Sequence, residues 1–441
     1  MISLSPEPST LSERGLFSFS PVAGINRLWQ LALLLFSLTC FLEIARILDP
    51  VHMHVISVAL AILAISLVAS RRALIFLKCG AGRVLLPLVG WFLLAYFTAP
   101  HTELSSPYII SSIQGALLFV AGAVLFAGVA DFKTFFRIVA AAGLVLCTLG
   151  IVWSGTINGR FALRGGPYID PNTFALALLG IAPIIWVSCA TKPWWIRLCG
   201  FVAMAVPVLL ALRTASRGGL VGILAMLVVL FFLAATRIKI VMASAAVLAL
   251  VIVLAFLPDS LRTRLFSVTR IASTGERQTA DTVSLSSRET MLRTSLSMTI
   301  AYPLFGVGPG NFGPTIEELG KLQGQNWINL NTHNSYTQIS SETGIPGLLL
   351  YLLLIGFSFK SLITAMRRTS PHGAYPNPEL HRLGAGLLVS LAATCTCMLF
   401  LSEGYSVLIF LWLGLANGAK LLLPDEPKEE DEYVEVEVEP A

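Results

Sequence analysis

The sequence predicts an all-α integral membrane protein of about twelve transmembrane helices with one large helical loop on the outer side. Composition is the first reason: of 441 residues, 55% are hydrophobic and 12% charged, where soluble domains carry about 25% charged residues. The mean hydropathy is +0.78. The second reason is that apolar runs recur at the length of about 20 residues that a hydrocarbon core of about 30 Å requires. The third is a single long polar stretch, near 258–335, set late in an otherwise apolar chain.

The apolar runs lie near 27–46, 51–69, 84–98, 108–130, 134–154, 172–190, 195–212, 218–236, 239–257, 343–359, 383–401 and 404–420. Short loops that collect Lys and Arg face the cytoplasm. One side receives Arg71, Arg72, Lys78 and Arg83, then Lys133 and Arg137, Lys192 and Arg197, Arg237 and Lys239, and Lys360, Arg367, Arg368 and Arg382. The loops at 99–107 and 402–403 have no Lys or Arg. The chain therefore divides into a cytoplasmic segment 1–26, helices one to nine over 27–257, an outer loop 258–335, helices ten to twelve over 336–420, and a cytoplasmic tail 421–441.

The formal charge of +5 conceals an asymmetry, because the last seventeen residues hold nine acids and one lysine. Such a segment has too little apolar surface to fold alone. The rest is basic, as membrane proteins ordinarily are, and this charge is no argument for nucleic acid. Of seven cysteines, all but Cys79 fall in apolar runs and none lies in the long loop. A disulfide framework or a cysteine metal site is not expected. The polar start and the long first apolar run do not read as a cleavable signal peptide.

Two outer loops run against the charge bias. Arg160 and Arg164 lie in GRFALRGGPYIDPN, and Arg213 and Arg217 in RTASRGG. Arginines can simply snorkel toward headgroups. The alternative is an outward-facing anion site, since guanidinium grips phosphate oxygens as a fork.

Within the long loop, Ser286 and Glu289 form a capping-box pattern, and Met291, Leu292, Leu296 and Ile300 follow at helical spacing. That pattern puts Arg288 in a first turn, where the helix dipole favours anions. A surface arginine offset by Glu289 is the plain alternative. Tyr302-Pro303 ends the helix, and Gly306-Val307-Gly308-Pro309-Gly310 reads as a rigid turn folding back on the membrane. His333-Asn334 then stands at a loop-to-helix junction, ahead of Gly344-Ile345-Pro346-Gly347. A neutral imidazole there can take a proton from an attacking hydroxyl, while arginines neutralise a phosphate-bearing leaving group. No His/Asp/Glu cluster with metal-ligand spacing is present in the sequence. Tyr168, Trp327 and Tyr336 are candidates for stacking on sugars, or are interfacial anchors.

DPNTFA at 170–175, SRGG at 216–219, Arg288, PLFGVGPGNF at 303–312 and HN-x9-GIPG at 333–347 together resemble the O-antigen ligase and polymerase superfamily of bacterial envelope glycosyltransferases. The resemblance covers roughly 155–360 and implies a C-type glycosyltransferase architecture in the inner membrane. It implies transfer with inversion from an undecaprenyl-diphosphate-linked glycan at the periplasmic face, without metal, nucleotide sugar or other cofactor. His333 matches the family's catalytic base, and Arg217 and Arg288 its diphosphate-binding arginines. Arg160 and Arg164 fall where the family often has basic residues. Asn334, Ser216, Gly344 and Gly347 are supporting motif positions. The acceptor is lipid A-core for a ligase, or another lipid-linked glycan for a polymerase, with membrane lipids around both. The ordered Arg, GVGPG and HN layout favours the ligase. A twelve-helix transporter is the remote alternative, but such proteins place ionisable residues in mid-membrane, and the spans here hold almost none beyond Glu43.

Overall fold

The computed structural model describes residues 29–37, 53–69, 72–157, 160–190, 192–234, 236–237, 239–240, 280–322, 324 and 330–424. The expected segment 1–26, nearly all of the ninth run 239–257, the loop up to 279, Trp327 and the acids from 425 onward lie outside these residues. So do the side chains of 280–287.

Residues 29–37 are helical. There follow α1 (Met53–Ala69), α2 (Gly80–Phe97), α3 (Thr102–Val124), α4 (Val129–Val152), β1 (Ser154–Ile157), β2 (Arg160–Leu163), α5 (Pro171–Cys189), α6 (Trp194–Arg213) and α7 (Arg217–Leu233). After the undescribed stretch come α8 (Ala280–Ala301), α9 (Phe312–Leu322), α10 (Ser335–Thr369), α11 (Pro378–Cys397) and α12 (Val407–Leu421). Among the described residues, seven helices are long and apolar enough to cross a membrane, and three shorter apolar helices accompany them.

The bundle is closely packed. α3 and α12 approach until a Cβ added at Gly414 would sit 2.4 Å from the Phe119 carbonyl oxygen. Small residues at such crossings let helices meet where no hydrophobic force separates protein from lipid. Phe36 stacks on Phe135 at 4.5 Å between ring centroids. At one end, Lys133 pairs with Glu379 and Arg368 Nη2 donates to the Pro424 carbonyl at 2.9 Å. At the other end meet the loops expected outside. Asn311 Nδ2 donates to Ser105 Oγ, the Thr173 hydroxyl to Glu403, and Arg160 to the Thr214 carbonyl.

The chain is mostly helical, as expected, with one short hairpin added, in which β1 and β2 pair antiparallel with Ile157 opposite Arg160. Asn158-Gly159 between them is the pair that two-residue hairpins favour. Ser286 is not a helix cap, since α8 is already helical at Ala280. Arg288 therefore stands more than two turns into α8, and its pull on an anion owes nothing to a helix terminus. The helix that carries the tenth apolar run starts ahead of that run, because Asn334 Oδ1 accepts from the backbone N–H groups of Tyr336 and Thr337 at 2.9 and 3.1 Å. That cap starts a helix in the polar residues before the apolar run.

α10 breaks once. Gly344 has φ +74° and ψ −177°, a region essentially restricted to glycine. A Cβ there would meet the Leu304 carbonyl oxygen at 2.2 Å. Pro346 also removes a donor from the ladder. The carbonyls ahead of the break find other partners: Val307 N–H reaches Ser341 O and Gly308 N–H reaches Glu342 O, both at 2.9 Å. Trp91 Nε1 donates to Thr343 O at 2.8 Å, and Ile345 N–H to Pro303 O at 2.8 Å. The GVGPG turn is thus the hydrogen-bonding lid of a helix break. Gly344→Ala is expected to cost well over about 1 kcal/mol, seen as an earlier thermal midpoint in detergent. Gly356→Ala, where an added Cβ meets nothing within 4 Å, should be neutral or gain up to about 1 kcal/mol.

Candidate active site

The break frees a short polar helix, 335–343, to be buried at the outer end. Ser335, Gln338, Ser340, Ser341, Glu342 and Thr343 are all buried. Ser335 Oγ donates to Leu401 O at 2.7 Å and accepts from Glu403 N–H at 2.9 Å. Gln338 Oε1 accepts from Gly404 N–H at 3.1 Å. The 401–406 turn is so fixed against the start of α10. His333, immediately before the cap, donates its backbone N–H to Ser402 Oγ at 2.9 Å.

His333 has φ +51° and Ala215 has φ +48°. These are the two non-glycine residues with positive φ among the described residues. Each holds a conformation that an L-residue adopts at a cost of about 1–3 kcal/mol, and such strain clusters at functional sites. Ala215 immediately precedes Ser216, whose hydroxyl caps α7 by accepting from Gly219 N–H at 3.1 Å and donates to Asn172 Oδ1 at 2.8 Å. The turn aims Arg217 from the first residue of α7.

The structure brings His333, Arg288 and Arg217 together. Arg288 feels the charges of Arg217 and Asp170, and His333 feels those of Arg288 and Asp170. Burial, then the Arg217 charge, push the Arg288 guanidinium down, with Asp170 opposing. Burial, then the Arg288 charge, hold the His333 imidazole below its ordinary value, again against Asp170. Arg217 Nη1 is buried and donates to no partner among the described residues. Two neighbouring guanidiniums, with Asp170 opposing them, give this end of the bundle a local positive charge.

Arg160 and Arg164 are placed differently. Arg160 donates to Thr214 O at 3.1 Å and to Asn172 Oδ1 at 2.7 Å, so it ties the turn before Arg217 to the start of α5. Arg164 is exposed and bonds Ser154 O at 2.9 Å on the hairpin. Arg213 stacks over the Phe161 ring at 4.5 Å. Gly347 lies one turn after the break, where a Cβ would strike Thr343 Oγ1 at 2.0 Å. Tyr336 points inward, donating to Cys395 O at 2.9 Å, and is no sugar platform.

The sequence reading passed over Ser402 and Glu403, and named Asp170, Asn172 and Thr173 only as part of the DPNTFA motif. Asp170 caps α5, accepting from Thr173 N–H at 3.1 Å, with Pro171 at the first helical position. That Asp-Pro start was a legible helix signal. Thr173 Oγ1 lies 3.1 Å from Asp170 Oδ2 and 2.8 Å from Glu403 Oε1. One hydroxyl hydrogen cannot serve both carboxylates. Burial pushes the Glu403 carboxyl up, and the hydrogen bond from the Thr173 hydroxyl opposes that shift.

Fold and site define a multi-pass, mostly helical membrane protein with a buried cationic site and a histidine at one end. Residues 200–352 match the family model described as O-antigen ligase. The matched segment contains Arg217, Arg288, His333, Gly344 and Gly347; Arg160, Arg164 and Asp170 precede it. No curated protein matches the chain. A chain from a solved structure described as "Structural coordination of polymerization and crosslinking by a peptidoglycan synthase complex" is similar at TM-score 0.46 and 17% identity, over 78% of this chain and 96% of that one.

Proposed function

We propose that this protein is an inverting glycosyltransferase of the bacterial inner membrane that moves a glycan from undecaprenyl diphosphate to an acceptor hydroxyl at the periplasmic face. The observation that carries this reading is the Arg217–Arg288 pair beside His333, with Arg217 Nη1 buried and unpartnered among the described residues. His333 takes the proton of the acceptor hydroxyl as the oxygen attacks the anomeric carbon. The bond to the lipid diphosphate breaks, and the diphosphate leaves with the electron pair into the guanidinium pair. Asp170 offsets part of the positive field, and Arg160 with Asn172 and Ser216 fixes the loops. The reaction calls on no nucleotide and no metal.

The acceptor we favour is lipid A-core, which makes the protein an O-antigen ligase; the second reading is a polymerase extending a lipid-linked repeat. A deletion strain separates them. Loss of a ligase leaves polymer on the lipid carrier and bare core at the surface, whereas loss of a polymerase leaves core capped by one repeat.

The pH dependence has a definite sign. Because burial and Arg288 hold His333 below its usual value of about 6.5, the base is already neutral at mildly acid pH. The acid limb of kcat/KM is expected below pH of about 6.5. In Arg288→Gln the remaining activity should titrate at higher pH, because a repelling charge is gone. An unchanged midpoint in that variant would remove the base from Arg288's neighbourhood.

A further inference from the structure

A cavity of about 190 Å³ opens on the outer end, lined by Pro107, Tyr108 and Ser111 of α3 and by Ser402, Glu403 and Tyr405 of the 401–406 turn. Among the described residues, no Lys or Arg lines it. The turn that walls it also holds the site: Ser402 accepts from His333 N–H, and Glu403 is tied to Ser335 and Thr173. Tyr108 and Tyr405 meet edge-on at 5.3 Å between ring centroids. Behind them Glu342 is buried, and its carboxyl interacts with the Tyr405 hydroxyl. Glu342 and Glu403 act electrostatically on Tyr108, and Glu342 on Tyr405.

The lining differs from that of the arginine pair: it carries the Glu403 carboxyl and, among the described residues, no guanidinium or ammonium to hold a diphosphate. A neutral pyranose fits: its hydroxyls donate to carboxylate and tyrosine oxygens, and its C–H face packs on Pro107 and the aromatic rings. A displacement at an anomeric carbon also needs donor and acceptor held at separate places around one base. We propose that this cavity is a second subsite that binds a neutral sugar of the acceptor glycan, with Glu403 and Tyr108 as its recognition groups and the 401–406 turn as the partition from the diphosphate site. Calling that sugar the acceptor rests on the function proposed above; the presence of a sugar subsite does not.

Saturation-transfer NMR on the purified full chain tests it with a panel of methyl pyranosides, and with inorganic pyrophosphate followed by phosphorus line broadening. Glu403→Gln and Tyr108→Phe keep side-chain shape, and Arg217→Lys serves as the opposite control. At least one pyranoside should bind wild type, weaken by about tenfold in Glu403→Gln, weaken in Tyr108→Phe, and stay unchanged in Arg217→Lys. Pyrophosphate should show the reverse pattern. If no pyranoside binds, or if binding survives Glu403→Gln and is lost in Arg217→Lys, the subsite is overturned. Pyranoside binding as expected together with no pyrophosphate binding would instead remove the donor reading and leave the subsite standing.

Discussion

His333→Asn and His333→Ala are both expected to lower glycan transfer by about 10²–10⁴-fold. The two variants separate chemistry from backbone. His333 sits at φ +51°, a conformation that asparagine adopts several times more readily than most residues. His333→Asn therefore keeps the turn into the Asn334 cap while replacing a base by an amide that cannot take a proton. Its thermal midpoint should stay close to wild type. His333→Ala adds a folding cost from the same positive φ. The Ser402 contact uses the backbone of His333, so neither change deletes it. A His333→Asn protein that is folded and still transfers glycan at the wild-type rate would exclude His333 as the base.

Arg217→Lys and Arg288→Lys should each lower kcat/KM by about 10²-fold, the scale of losing one preorganised donor to a developing anion. Lysine keeps the charge, so a loss of this size reports the fork and not the field. The double variant should lose less than the product of the singles, because both guanidiniums serve one diphosphate and neither holds it alone. Arg164→Lys should be nearly silent, since its side chain is exposed on the hairpin. Steady-state kinetics with donor varied at saturating acceptor checks all four. Strict multiplicativity of the Arg217 and Arg288 effects would place them in separate sites.

The helices were legible because lipid imposes length: an apolar run of about 20 residues has few other uses. His333, Arg217 and Arg288 were legible as polar groups against the grain of their surroundings, and the family resemblance joined them. What failed in sequence was local pattern without tertiary context. Ser-x-x-Glu at 286–289 looks like a capping box, yet α8 runs through it from Ala280. GIPG at 344–347 was visible as a motif, but its reason is visible only once Val307, Gly308 and Trp91 reach the carbonyls before the break. Arg160 and Arg217 are equal oddities on the page. The fold separates them by giving Arg160 the partners Thr214 and Asn172 and leaving Arg217 Nη1 with none among the described residues. Glu403 was passed over because its loop was read for missing basic residues, and nothing in sequence links it to Thr173.

The measurement closest to the central claim is release of undecaprenyl diphosphate by the purified protein, given lipid-diphosphate-linked glycan and acceptor glycan without nucleotide. The expected result is lipid diphosphate formed one-for-one with glycosylated acceptor in wild type, and neither product above background in His333→Asn. Absence of release by folded wild-type protein, or equal release by His333→Asn, would contradict the account.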